Sequence, residues 1–108
     1  MIRTMTQDEF RRLALALPEA IEGAHMGTAD FRVRGKIFAT LWPDGIWAMV
    51  KLTPEHQELL VAAEPGVFEP ATGAWGRRGS TKLRLAACDE PTARSALDTA
   101  WRRTARRL

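Results

Sequence analysis

Apolar residues recur along this chain with two different periods, and each change of period marks the border of an element. Near the N-terminus Thr6 stands three residues before Glu9. That spacing makes a capping box, in which each side chain satisfies a backbone N–H at a helix start. Phe10, Leu13, Ala14 and Leu17 follow at i, i+3, i+4 and i+7, so one face of the helix is apolar. Pro18 cannot donate to the ladder and ends it. Arg11 and Arg12 fall off the apolar face, where solubility is their expected role.

The period then drops to two. In "DFRVRG" Phe31 and Val33 alternate with Asp30, Arg32 and Arg34, the pattern of a half-buried strand. Gly35 offers a turn, and "KIFATLW" returns with apolar residues on both faces, as expected of a central strand covered on both sides. Pro43-Asp44-Gly45 is a second turn, and "IWAMVKL" completes a three-stranded antiparallel meander.

Thr53 and Pro54 read as N-cap and first residue of a second helix. His56, Leu59, Leu60 and Ala63 share its expected packing face, and Pro65-Gly66 stops it. Thr81, Leu83 and Leu85 alternate with Ser80, Lys82 and Arg84, which predicts a further strand. From near Asp89, a stripe of Ala93, Ala96, Leu97, Ala100, Trp101, Thr104 and Leu108 at helical spacing predicts a last helix packed on the sheet. The order α-β-β-β-α-β-α describes a small α+β fold over residues 1–108, with helices segregated against an antiparallel sheet.

Composition narrows the class. At 108 residues, 45% hydrophobic and 27% charged, the chain reads as one ordinary globular domain. No apolar run approaches the roughly 20 residues of a membrane span, and no apolar stretch follows the N-terminal cation as in a secretory signal. A single cysteine, Cys88, precludes an internal disulfide and fits a reducing cytoplasm.

Charge adds an asymmetry. The net charge is +3, yet from Trp75 onward nine Lys/Arg face three Asp/Glu, a formal +6 that leaves residues 1–74 at −3. A basic third on an acidic body favours an anionic partner, although small arginine-rich bacterial proteins also show such asymmetry without one.

Candidate chemistry is sparse. His25, His56 and Cys88 are scattered singles without zinc-site spacing, so no metal is expected. Each histidine reads as structural or half-exposed. Cys88 near a helix start could be activated, but a lone small thiol is more often packing. "GRRGSTK" has its lysine after the hydroxyls, whereas a phosphate loop needs it before them. Glu19 and Glu22 lie in a connector with no partner acid or base. Nothing warrants an enzyme or a cofactor.

What remains is "GAWGRRGSTKLRL", residues 73–85, read as a hairpin. Arg77 and Arg78 in its turn, with Lys82 and Arg84 on one strand face, suit a line of phosphates. Trp75 would stack on a base or wedge into a groove, and the glycines would let backbone approach a ligand. Equally, Trp75 would cap the core while the arginines hydrate the outside. Arg94, Arg102, Arg103, Arg106 and Arg107 fit intrahelical pairing and the helix dipole as well as phosphate contact. A second possibility is a small-ligand or protein-binding module, with a pocket of His25, Trp42, Trp47 and Lys51 on the open sheet face.

Four segments, "LALPEA", "HMGTADFRVRGKIFATL", "VKLTPEHQELL" and "GAWGRRGSTKLRL", together resemble the MmcQ/YjbR family nearly end to end. The most specific parts are the F-x-V-x-G-K-I-F-A hairpin and the K-L-T-P-E junction; neither is a catalytic signature. The resemblance implies a CyaY-like fold and a DNA-binding role by likeness to a double-wing domain. On that analogy, duplex DNA is the partner, with Arg32, Arg34 and Lys36 on the first hairpin and Arg77 and Arg78 on the late one as matching cations. Some members carry a histidine beside the tryptophan where this chain has "ATGAWGRRG".

Overall fold

The computed structural model describes residues 5–106. Helix α1 (Gln7–Leu15) starts on the expected box: Thr6 Oγ1 accepts from the Glu9 amide at 3.0 Å, and the Glu9 carboxylate accepts from the Thr6 amide at 2.9 Å. Its Phe10 and Ala14 are fully buried, with Leu13 and Leu17 packed beside them. Burying one such phenylalanine stabilises by about 1.5–3 kcal/mol.

Six strands make one antiparallel sheet: β1 (Ala20–His25), β2 (Thr28–Val33), β3 (Lys36–Leu41), β4 (Trp47–Lys51), β5 (Phe68–Pro70) and β6 (Ser80–Arg84), in spatial order β1-β2-β3-β4-β6-β5. Helix α2 (Pro54–Ala63) joins β4 to β5, and α3 (Gly73–Arg77) joins β5 to β6. A 3-10 turn at Leu85–Ala87 leads into α4 (Glu90–Arg106). The fold is α+β as expected, but two strands and one short helix are added to the expected order.

The additions have a physical explanation. Strands β1 and β5 lie at the two edges of the sheet, each paired on one side only. Edge strands leave most side chains in water, so they need not alternate, and β5 is blunted by its shortness and by Pro70. Glu22, expected in a connector, lies within β1, and the Arg11 guanidinium donates to it at 3.0 Å.

Register sorts the side chains between two faces. Phe31, Ala39, Val50 and Thr81 stand in one cross-strand row, and Ala29, Leu41, Ala48, Leu83 and Phe68 in the next. This is the core face. Helix α4 lays Ala93, Ala96, Leu97, Ala100 and Thr104 on it as the stripe predicts; Leu108 lies outside the described residues. Trp101 Nε1 donates to the Pro18 carbonyl at 3.0 Å and so ties α4 to the end of α1. Helix α2 departs from expectation: His56, Leu59 and Ala63 are exposed. Gln57, Leu60 and Val61 face the domain instead, because the Gln57 amide is needed by the chain beneath it.

The second face of the sheet carries no layer of long helices. Strand β3 is central, but only its core side is roofed by α4 and α1. A register shift opposite Phe31/Arg32 turns Phe38 inward with Ala39. Ile37, Thr40 and Trp42 are left on the open side.

Candidate functional site

The open face is built by register. Asp30, Thr40, Met49, Lys82 and Glu69 form one row across five strands. Trp47 pairs with Arg84 and Lys51 with Ser80, while the Trp42 amide donates to the Trp47 carbonyl at 3.2 Å. Every pocket residue proposed from the sequence therefore shares this face with Lys82 and Arg84.

Residues 73–77 are not part of a hairpin. They form α3, and Arg77 and Arg78 are its last residue and its C-cap. The glycines explain the difference. A Cβ on Gly76 would lie 1.7 Å from the Ala71 carbonyl oxygen, so only glycine lets the helix press on the strand before it. Gly79 has φ +114°, and a Cβ there would lie 1.9 Å from the Leu52 carbonyl oxygen. The backbone is bare so that the chain can approach itself, not a ligand. Gln57 Nε2 clamps the assembly by donating to the Gly76 and Ser80 carbonyls at 3.0 and 2.9 Å.

Seated this way, α3 holds Trp75 beside Lys51. The Lys51 Nζ lies 5.4 Å from the centre of the Trp75 ring and the Arg78 guanidinium 5.9 Å from it, both within cation–π range. Trp75 stays 62% exposed, so it does not cap the core. Trp75, Trp42, His25, Thr40, Met49 and Lys51 line a concavity of about 390 Å³, within the usual size of ligand pockets.

Two features of this concavity are costly unless something binds there. Thr40 is 4% exposed, and its Oγ1 has no hydrogen-bond partner. Buried polar groups are nearly always satisfied. Lys51 meets no carboxylate among the described residues. Burial, with the Arg103 charge adding to it, lowers its pKa from the ordinary lysine value. An anion would relieve both strains on this ammonium.

On the far wall His25, half in solvent, shares its Nδ1 with Asp30 Oδ2 at 2.8 Å. The fully buried Asp30 also accepts two hydrogen bonds from Arg32, at 2.7 and 3.0 Å. The hydrogen bond from Arg32 holds the Asp30 carboxyl below its usual pKa, and His25 adds to this against the opposing cost of burial. Because the native value is depressed, the stabilisation is complete above about pH 4, where the unfolded carboxyl is ionised. It is lost as pH falls through the native value. Urea unfolding should therefore show a drop in stability between pH 7 and pH 2.5 that is smaller in Asp30→Asn; an equal drop in both proteins would refute the assignment.

The cations named from the sequence divide into two groups. Arg32 is bound to Asp30, Arg34 lies 3.4 Å from Glu19, and Lys82 lies 3.2 Å from Glu69. Lys82 and Arg84 also sit 4.2 and 4.3 Å from the Trp47 ring centre, so that Trp47 is occupied by them and stands outside the concavity. Lys36, Arg77 and Arg78 meet no carboxylate among the described residues. Of the proposed pocket, the structure brings His25, Trp42 and Lys51 together, with Trp75 in place of Trp47.

Other contributors escape a sequence reading. Thr40 is one polar residue in an apolar strand, which was the available signal. Arg103 gives no such sign, because it belongs to the helix stripe's flank. It meets Lys51 and Lys36 in one depression, Lys51 and Arg78 in another, and Arg102, Arg106 and His56 in a third. Cations thus continue from the open face around the sheet's end onto α4.

Cys88 is no candidate nucleophile: it is buried, and desolvation, with Asp89 and Glu64 adding to it, pushes its thiol up to about 12. Among the described residues no group of three His, Cys, Asp or Glu could hold a metal ion. None of their helices is long and apolar enough to cross a membrane.

A family model described as YjbR matches residues 15–103. Among solved structures, the crystal structure of the Deinococcus radiodurans protein DR2400, family-model domain DUF419, superposes with a TM-score of 0.76 at 19% identity, covering 94% of this chain and 80% of that one. No curated protein matches.

Proposed function

The chain belongs to the YjbR family, and from that premise we propose that it is a non-catalytic nucleic-acid-binding protein that takes a single strand on the open face of its sheet. The observation that carries this reading is the meeting of Lys51 and Arg78, neither engaged by a carboxylate among the described residues, at the exposed ring of Trp75. Single-strand binders combine such parts: a cationic track for phosphates and an aromatic face on which bases stack. The track here runs through Lys36, Lys51, Arg78 and Arg103.

A duplex embraced by hairpin arginines is less well supported. Arg32, Arg34 and Lys82 would first have to leave Asp30, Glu19 and Glu69. A paired duplex also hides its base faces from Trp75. Catalysis has little support. His25 and Asp30 resemble a base and its orienting group, but among the described residues no serine, threonine or cysteine hydrogen bonds to His25.

The test is a salt titration with a random single-stranded oligonucleotide and its duplex. For single strands, log K falls with log salt at about 0.7 per phosphate contact. The double variant Lys51→Gln, Arg78→Gln should flatten the slope by about 1.4, two contacts' worth. Arg34→Gln, whose guanidinium already has Glu19, should leave it unchanged. No binding at low salt, or a slope indifferent to the double variant, refutes the proposal.

A further inference from the structure

The geometry points to a narrower role for the concavity under Trp75: we infer that it captures one unstacked nucleobase together with its phosphate, so that a nucleoside monophosphate is its minimal ligand. This inference rests on the single-strand reading and specifies what the strand does at one point.

The parts are complementary to such a ligand. Trp75 and Trp42 give flat apolar walls and Met49 a soft floor, while Lys51 stands at the border toward Arg78 and Arg103. Lys51 and Arg78 lie 5.4 and 5.9 Å from the Trp75 ring centre, so the phosphate of a nucleotide whose base stacks there is within reach of both cations. Thr40 Oγ1 is buried in the same wall without a partner. A hydroxyl both donates and accepts, so it can satisfy an edge of any base. It would therefore bind without strong preference among the four. The His25 Nδ1 is engaged by Asp30, which leaves Nε2 as the ring's remaining polar atom on the opposite wall.

The orphan hydroxyl makes a test of opposite signs. A buried polar group without a partner destabilises, and replacing it by an apolar group of the same shape is neutral or stabilising. Thr40→Val should leave the free protein at least as resistant to urea as the parent. The same change should weaken adenosine and cytidine monophosphate binding about 3- to 10-fold, one hydrogen bond's worth. Trp75→Ala should weaken it by about 5-fold or more.

Calorimetric titration of the full chain with adenosine monophosphate, cytidine monophosphate, adenosine and inorganic phosphate carries the measurement. The inference expects each monophosphate to bind at least 10-fold tighter than adenosine or phosphate alone. Monophosphates that bind no better than phosphate, or that ignore Thr40→Val, overturn it. If the oligonucleotide binds with the expected salt slope while monophosphates do not, base capture fails and the strand reading stands. Monophosphate binding that depends on Thr40 while oligonucleotides fail to bind upholds the pocket's chemistry and overturns the strand reading.

Discussion

Phe31→Ala should lower the unfolding free energy by about 3–5 kcal/mol, the cost of truncating a buried phenylalanine. Phe31 is fully buried and meets Phe10 edge to face, with ring centres 6.2 Å apart at 63°. Its neighbours come from both α1 and the core face of the sheet, so the cavity cannot be closed by one side chain relaxing. At about 4–8 °C per kcal/mol for a domain near this size, the melting temperature falls by more than 10 °C. Phe31→Leu, which keeps most of the volume, should cost clearly less. Denaturant melts of the three proteins decide it. A loss below about 1 kcal/mol for the alanine variant would mean that α1 is not anchored through this residue.

The second large effect falls on the site. Gly76→Ala places a methyl 1.7 Å from the Ala71 carbonyl oxygen, a backbone atom that no rotamer change can move aside. Strands and helix must part, and overpacking of this kind costs about 1–3 kcal/mol. The lost contact lies between α3 and Ala71, so Trp75 and the C-cap Arg78 are carried together away from Lys51 on β4. Single-strand affinity should fall by at least as much as in Trp75→Ala, although the indole is still present. Gly66→Ala is the control, because a Cβ there meets nothing within 4 Å; it should change neither stability nor affinity. An unaltered salt slope and affinity in Gly76→Ala would show that the placement of α3 does not matter to binding.

Much of the fold was legible because burial leaves a period. The α1 face, the α4 stripe and strands β2, β3, β4 and β6 follow from it, while the Thr6–Glu9 box shows through its capping chemistry instead. Strands β1 and β5 did not show, since an edge strand is held by backbone hydrogen bonds that no side-chain pattern records. Helix α3 was hidden by its own glycines. In sequence they look like flexibility; in the fold Gly73 supplies a left-handed backbone (φ +70°) at the helix start and Gly76 is a point of closest packing. The site was half legible for a related reason. Residue type identified His25, Trp42, Lys51 and Trp75 as chemically able. Which cations were engaged depended on Glu19, Asp30 and Glu69, which are distant in sequence or masked by strand alternation. Arg103 reaches Lys51 only through the docking of α4, a tertiary fact.

The placement of the indoles has a practical consequence. The chain has four tryptophans and no tyrosine. Trp42, Trp47 and Trp75 stand on the open face, and only Trp101 lies across the core on α4. Trp42 and Trp75 line the concavity, so half of the indoles report on it directly. An occupant stacked on Trp75 would dim their emission while Trp101 kept a steady background, so the protein carries its own optical gauge of whether the face is filled.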